Sequence, residues 1–194
     1  MSPTQAAVLQ LAKSLPYQNY QFSLFMDNLF SKPKLFSLLQ QLGIGACGTC
    51  RRDVTTPIFG NLDKWNPQWG TLHSRIAEAY QDIQGNGKVL CSIWQDSNKV
   101  GFLSTIHDGT EWVVRNCKKP KATSTQAAIT KKPFAMFDPP TGCKDAYEHS
   151  RLLPIPGIVD DYNYYIGGVD IADQLRAKFA NWPRGVKPWK PLFY

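Results

Sequence analysis

The chain has 194 residues, 43% of them hydrophobic and 19% charged, a composition that argues against disorder and suits one domain or one domain with an insertion. No run approaches the roughly 18–20 consecutive apolar residues that a membrane-spanning helix requires. The formal net charge of +7 and pI of about 9.2 fit a nucleic-acid-binding surface and equally a plain basic domain.

The N-terminal MSPTQAAVLQLAKSLP has no basic residue ahead of its short apolar run, unlike a secretory signal, so an intracellular protein is expected. Cys47, Cys50, Cys91, Cys117 and Cys143 are odd in number and scattered, which suits reduced thiols better than a disulfide framework.

From Thr4 to Ser14, apolar Ala7, Val8, Leu11, Ala12 and Leu15 fall at helical spacing, and Pro16 ends the run. Tyr20 to Met26 is aromatic and aliphatic, a candidate strand that delivers Asp27 and Asn28 at its C-terminal end. Ser31 and Pro33 then open a helix with Leu35, Phe36, Leu38, Leu39 and Leu42 on one face, closed by Gly43. Ile44 to Arg51 forms a second strand. Strand, helix and strand together make the building block of an α/β sheet.

From 53 to 87 the pattern weakens, with turn signals at Pro57, Gly60, Asn66, Pro67 and Gly70 and a short helical stretch expected from Ile76 to Ile83. Lys88 to Trp94 and Lys99 to Ile106 read as a hairpin, and Thr110 to Val114 as a further strand. Residues 118–157, with Pro120, Pro133, Pro139, Pro140, Pro154 and Pro156, are expected to be an extended, mobile connection. A helix is expected after Gly157, through Asp161 and Asp170 towards Lys178. The tail beyond it, with Trp182, Arg184, Lys187, Trp189 and Lys190, suits a packed core better than a base-stacking surface.

Two features carry candidate chemistry. Asp27 ends a strand, where open α/β sheets present ligand-binding carboxylates, and where turn aspartates also sit. Asp170 and Asp173 lie three apart on the expected helix and so share a face. Their spacing suits a shared cation or a solvated acidic face near a helix start. Cys47 and Cys50 read as core residues rather than a metal pair, and His107 as a structural hydrogen-bonding group.

Four segments in order resemble one family. FMDNLFS at 25–31 is similar to the DN motif of piggyBac transposases and their domesticated relatives. ACGTCRRD at 46–53 resembles the family's GT-x-R strand, and SIWQDSNKVGFLSTIH at 92–107 its W-x-D-x-x-x-V-x-x-L-S-T-x-H segment. YNYYIGGVDIADQLRAKF at 162–179 resembles its GGVD-x-x-D-Q-x-R helix.

The resemblance implies an RNase H-like α/β fold with a β-rich insertion, and DNA cleavage and joining by metal-held carboxylates. It places Asp27 as the second catalytic aspartate, Asp170 as the third and Asp173 as an additional one, all metal ligands. The implied organisation is a partial RNase H-like core at 1–52, a β-rich insertion at 53–117, a flexible linker at 118–157, and an acidic helix with a basic aromatic tail at 158–194. The family's first aspartate precedes the DN motif, yet Met1 to Met26 contains no acidic residue.

The expectation is therefore a truncated, nuclear, catalytically inactive protein that does not hold Mg²⁺ productively. Weak DNA binding, and self-association or association with a full-length transposase, are its expected interactions. Two alternatives stay open: a protein-interaction module, and an active DDE-type transposase whose N-terminal part is absent from this sequence.

Overall fold

The computed structural model describes residues 2–61, 67–77, 88–96, 98–118, 150–168, 171, 174 and 175. Its first helix, α1 (Pro3–Lys13), starts where Ser2 and Gln5 cap each other. The Ser2 hydroxyl accepts from the Gln5 amide, and Gln5 Oε1 accepts from the Ser2 amide.

Strand β1 (Ser23–Met26), helix α2 (Pro33–Gln41) and strand β2 (Gly45–Cys50) follow. The strands pair in parallel, Ser23 opposite Gly45 and Met26 opposite Gly48, and α2 supplies the crossover that a parallel pair requires. Leu35, Phe36 and Leu39 of α2 are fully buried, a contribution of about 1.5–3 kcal/mol per side chain. Gly43 ends the helix with φ of 76°, in the left-handed region that glycine enters without a Cβ penalty.

Helix α3 (Arg52–Phe59) and strand β3 (Leu72–Ile76) occupy the weakly patterned stretch. Pro57 interrupts the helical signal inside α3, and β3 is exposed over all but Leu72, so neither shows a clear period. Ile76 ends β3, and residues 78–83 of the expected helical stretch lie outside the described residues. Strands β4 (Leu90–Gln95) and β5 (Lys99–Ser104) form the expected hairpin, Gln95 opposite Lys99.

The result is a mixed α/β architecture with one five-stranded mixed sheet in the order β1-β2-β5-β4-β3. Cys47 of β2 lies antiparallel to Ser104 of β5, which joins the hairpin to the parallel pair. Met26, Ala46, Cys50, Cys91 and Leu103 pack with Leu35, Phe36 and Leu39 in one core cluster. Cys47, Trp94 and Phe102 pack in a second with Ile155, Ile158 and Val159. Every residue of β4 is buried, which accounts for its lack of apolar–polar alternation.

Strands β6 (Trp112–Lys118) and β7 (Ser150–Pro156) form a separate antiparallel ladder, and helix α4 (Gly157–Tyr165) follows at once. The expected extended connection is thus a strand over 150–156, while residues 119–149 lie outside the described residues. Proline density hid β7. Among the described residues its one partner is β6, and a strand paired on one side tolerates residues without an amide hydrogen. Leu153 and Ile155 point inward while Leu152 is exposed, the alternation of a strand with one buried face.

Candidate active site

Asp27 directly follows β1, at the C-terminal end of the parallel pair, and is exposed. Its carbonyl accepts from the Phe30 and Ser31 amides at 3.0 and 3.2 Å, and the Ser31 hydroxyl donates to the same oxygen at 3.1 Å. This tight turn passes against Gly48 of β2. A Cβ there would collide with the Met26 carbonyl and the Ser31 hydroxyl, so only glycine fits.

Thr49 of β2 and Arg51, which follows the last residue of the strand, reach across to the turn. Thr49 Oγ1 donates to Asp27 Oδ1 at 3.3 Å, and Arg51 Nε donates to Asn28 Oδ1 at 3.1 Å. Arg51 keeps the extended backbone of the strand before it (φ −83°, ψ 166°), so positions 49 and 51 share a face under period-two alternation. Among the described residues, the Thr49 bond is the one polar side-chain contact of the Asp27 carboxylate.

Helix α4 crosses the sheet towards β1. Ile158 and Val159 pack with Cys47 and Phe102, Tyr162 meets Phe102 edge-on at 5.6 Å, and Tyr165 stacks on Phe25 of β1 at 4.6 Å. Three successive residues then fix the helix to three elements. Asp160 takes two bonds of 2.7 Å from Arg115 of β6, Asp161 Oδ2 lies 3.1 Å from His107 Nε2, and the Tyr162 hydroxyl lies 3.2 Å from Thr49 Oγ1.

Arg115 holds the Asp160 carboxyl below the usual carboxylate range. Burial, and then the nearby charge of Asp27, push the Tyr162 phenol upward.

Ser104, His107 and Asp161 superficially resemble a nucleophilic triad, with Ser104 Oγ 2.8 Å from His107 Nδ1. Ser104 is fully buried, however, and its oxygen already accepts the Ile106 and His107 amides at 3.1 Å each. A hydroxyl held in this way cannot approach a substrate, and the group is a brace. Cys47 and Cys50 belong to different core clusters, so they do not form a chelating pair. Burial pushes the Cys47 thiol up to about 12.

Beyond Tyr165 the backbone stays near β1. Residues Ser23, Leu24, Phe25, Ile106, Asp161, Tyr165, Ile166 and Gly168 line a cavity of about 620 Å³. Asp170 and Asp173 lie outside the described residues.

Residues 1–194 match a family model described as Transposase IS4. The chain belongs to this piggyBac-type transposase family. Its fold is similar to that in a cryo-EM structure of a piggyBac transposase synaptic complex with hairpin DNA. The TM-score is 0.51 and the identity 19%, over 90% of this chain and 27% of that one. The chain thus spans about a quarter of the length of that transposase.

Transposases of the DDE type use divalent metal. Among the described residues, no group of three or more His, Cys, Asp or Glu side chains is placed to hold an ion. The Asp27 carboxylate is exposed, and among the described residues Thr49 holds one of its oxygens and nothing holds the other, a donor of the hard oxygen type that divalent cations take.

Reading the family motifs separately missed the links between them. Thr49, Tyr162 and Arg51 connect the DN, GT-x-R and YN segments, and the period-two alternation of Thr49 and Arg51 at the end of β2 and just past it was the available signal.

Proposed function

We propose that these residues form part of the metal-binding and DNA-facing core of a piggyBac-type transposase, and that taken by themselves they bind DNA weakly without cutting it. The observation that carries this reading is the exposed carboxylate of Asp27 at the C-terminal end of the parallel pair. Asp170 and Asp173 are its proposed co-ligands, Mg²⁺ the family's ion, which these residues alone do not hold productively, and the nucleus the proposed compartment. In the family's chemistry, paired divalent ions activate an attacking oxygen and stabilise the leaving one.

The protein's own part is to hold Asp27 at the turn and brace one of its oxygens through Thr49. Residues 1–26 add no carboxylate. These 194 residues alone therefore offer Asp27, Asp170 and Asp173 to a site in which the family uses one more aspartate.

The proposed division is the one expected from the motifs: core residues at 1–52 and 158–194, with the β-rich insertion at 53–117. The net charge of +7 supports a phosphate-facing surface.

The test combines two assays on the purified chain. A gel-shift with duplex DNA is expected to give binding that weakens steeply between about 50 and 200 mM salt. Supercoiled plasmid with Mg²⁺ is expected to stay intact. Nicking that disappears in Asp27→Asn would refute the inactivity, and salt-independent or absent binding would refute the DNA-facing surface.

A second reading is favoured by one feature. Among the described residues β1 pairs with β2 alone, and the cavity runs beside it. A free strand edge suits strand addition by a longer transposase or by another copy of this chain. Co-purification with a tagged transposase, and protection of the Ser23–Met26 amides in the complex, would distinguish this reading.

A further inference from the structure

We infer that Tyr162 is a positioning residue for the Asp27 carboxylate, acting through the Thr49 hydroxyl, so that seating of α4 and cation binding at Asp27 are coupled. This inference rests on the reading of Asp27 as a metal ligand.

Hydrogen-bond directions follow from donor capacity. A carboxylate only accepts, so the single hydroxyl hydrogen of Thr49 goes to Asp27 Oδ1. Tyr162 is then the donor to Thr49 Oγ1. Donation from Tyr162 polarises the Thr49 hydroxyl and strengthens its bond to Asp27, the cooperative behaviour of a hydrogen-bonded chain. The raised phenol keeps its proton at neutral pH, so the donor persists.

The relay is also placed with little freedom. Asp160 and Asp161, the two residues before Tyr162, are tied to Arg115 and His107. The ring itself rests edge-on against Phe102. A shift of α4 therefore moves the phenol relative to β2 and weakens the bond that Thr49 donates to Asp27 Oδ1. Partners of this kind fix ligand orientation, and their loss typically weakens metal binding by about 10–100-fold.

The test uses the full 194-residue chain with Mn²⁺ as the probe, read by paramagnetic broadening of the Asp27 amide resonance. Tyr162→Phe keeps the ring against Phe102 and removes only the donor, and Thr49→Val removes the link. Both are expected to weaken Mn²⁺ binding about 10-fold. Thr49→Ser is expected to restore it, and Asp27→Asn to abolish it, with unfolding midpoints showing that each variant folds.

Wild-type affinity in both Tyr162→Phe and Thr49→Val, alongside its loss in Asp27→Asn, overturns the inference while leaving Asp27 a ligand. Broadening that is absent in the wild type, or unchanged in Asp27→Asn, removes Asp27 from the metal site instead. The relay is then decided without metal, by the Tyr162 ¹³Cζ resonance. A change on Asp27→Asn supports the hydrogen-bonded chain from Tyr162 through Thr49 to Asp27 without a cation, and an unchanged resonance sinks that as well.

Discussion

Arg115 closes on Asp160 through two hydrogen bonds of 2.7 Å, Nε to Oδ1 and Nη2 to Oδ2, and so fastens the first turn of α4 to β6. The fork matches the carboxylate plane, the geometry in which Arg is not replaceable by Lys. Asp160 has a folded-state pKa below its ordinary value, so the stabilisation is fully present above the unfolded carboxylate range. It is lost as pH falls through the folded value.

Arg115→Ala is accordingly expected to lower the unfolding midpoint at pH 7, with a difference from wild type that shrinks below about pH 4. Thermal scans from pH 7 to pH 2 measure this. A difference that grows with acid would show that the pair does not stabilise the fold.

Gly48→Ala is expected to destabilise the chain by about 1–3 kcal/mol, the cost of forcing atoms into a filled space. The new Cβ would press on the Met26 carbonyl, which is backbone and cannot swing aside. Denaturant unfolding gives the magnitude, and amide shifts confined to residues 26–31 and 48 would locate the strain. A substitution without effect would mean that the turn at Asp27 is looser than described.

His107→Ala leaves the Ser104 hydroxyl and the Asp161 carboxylate without their shared partner. The His107 side chain is 5% exposed, so a loss of about 1–3 kcal/mol is expected. Hydrogen exchange should quicken through 157–165 more than through α2. Equal protection in the two helices would leave His107 without a role in seating α4.

Thiol reactivity offers a check on the sheet. Cys47, Cys50 and Cys91 are buried and Cys117 is partly accessible. Burial pushes Cys47 up to about 12 and Cys117 upward as well. In a Cys143→Ser background, a disulfide reagent at pH 8 is expected to modify Cys117 first and the other three only on unfolding. Early modification of Cys47 would contradict the packing of α4 over β2.

The strand–helix–strand unit was legible because its signals are local. Leu35, Phe36 and Leu39 keep helical spacing, Gly43 stops the helix, and apolar residues flank it on both sides. The hairpin of β4 and β5 was legible for the same reason. Helix α3 and β7 were not, because Pro57, Pro154 and Pro156 signal a break locally and are accommodated only by the surroundings, and β3 was not, because all of it but Leu72 is exposed and shows no period. Asp27 was found as a position, but its partners could not be: Thr49 and Tyr162 are 113 residues apart in sequence.

The amino-acid order by itself determined α1, the strand–helix–strand unit and the β4–β5 hairpin, the family, and that an aspartate stands at a strand end. Periodicity, caps and motif residues act over a few positions, and a reader of the chain sees them directly. Tertiary structure alone decided that β5 lies against β2, that α4 crosses to β1, and that a tyrosine on α4 meets the threonine on β2 that holds Asp27. These outcomes depend on which apolar faces bury one another, and burial joins residues by shape and not by distance along the chain.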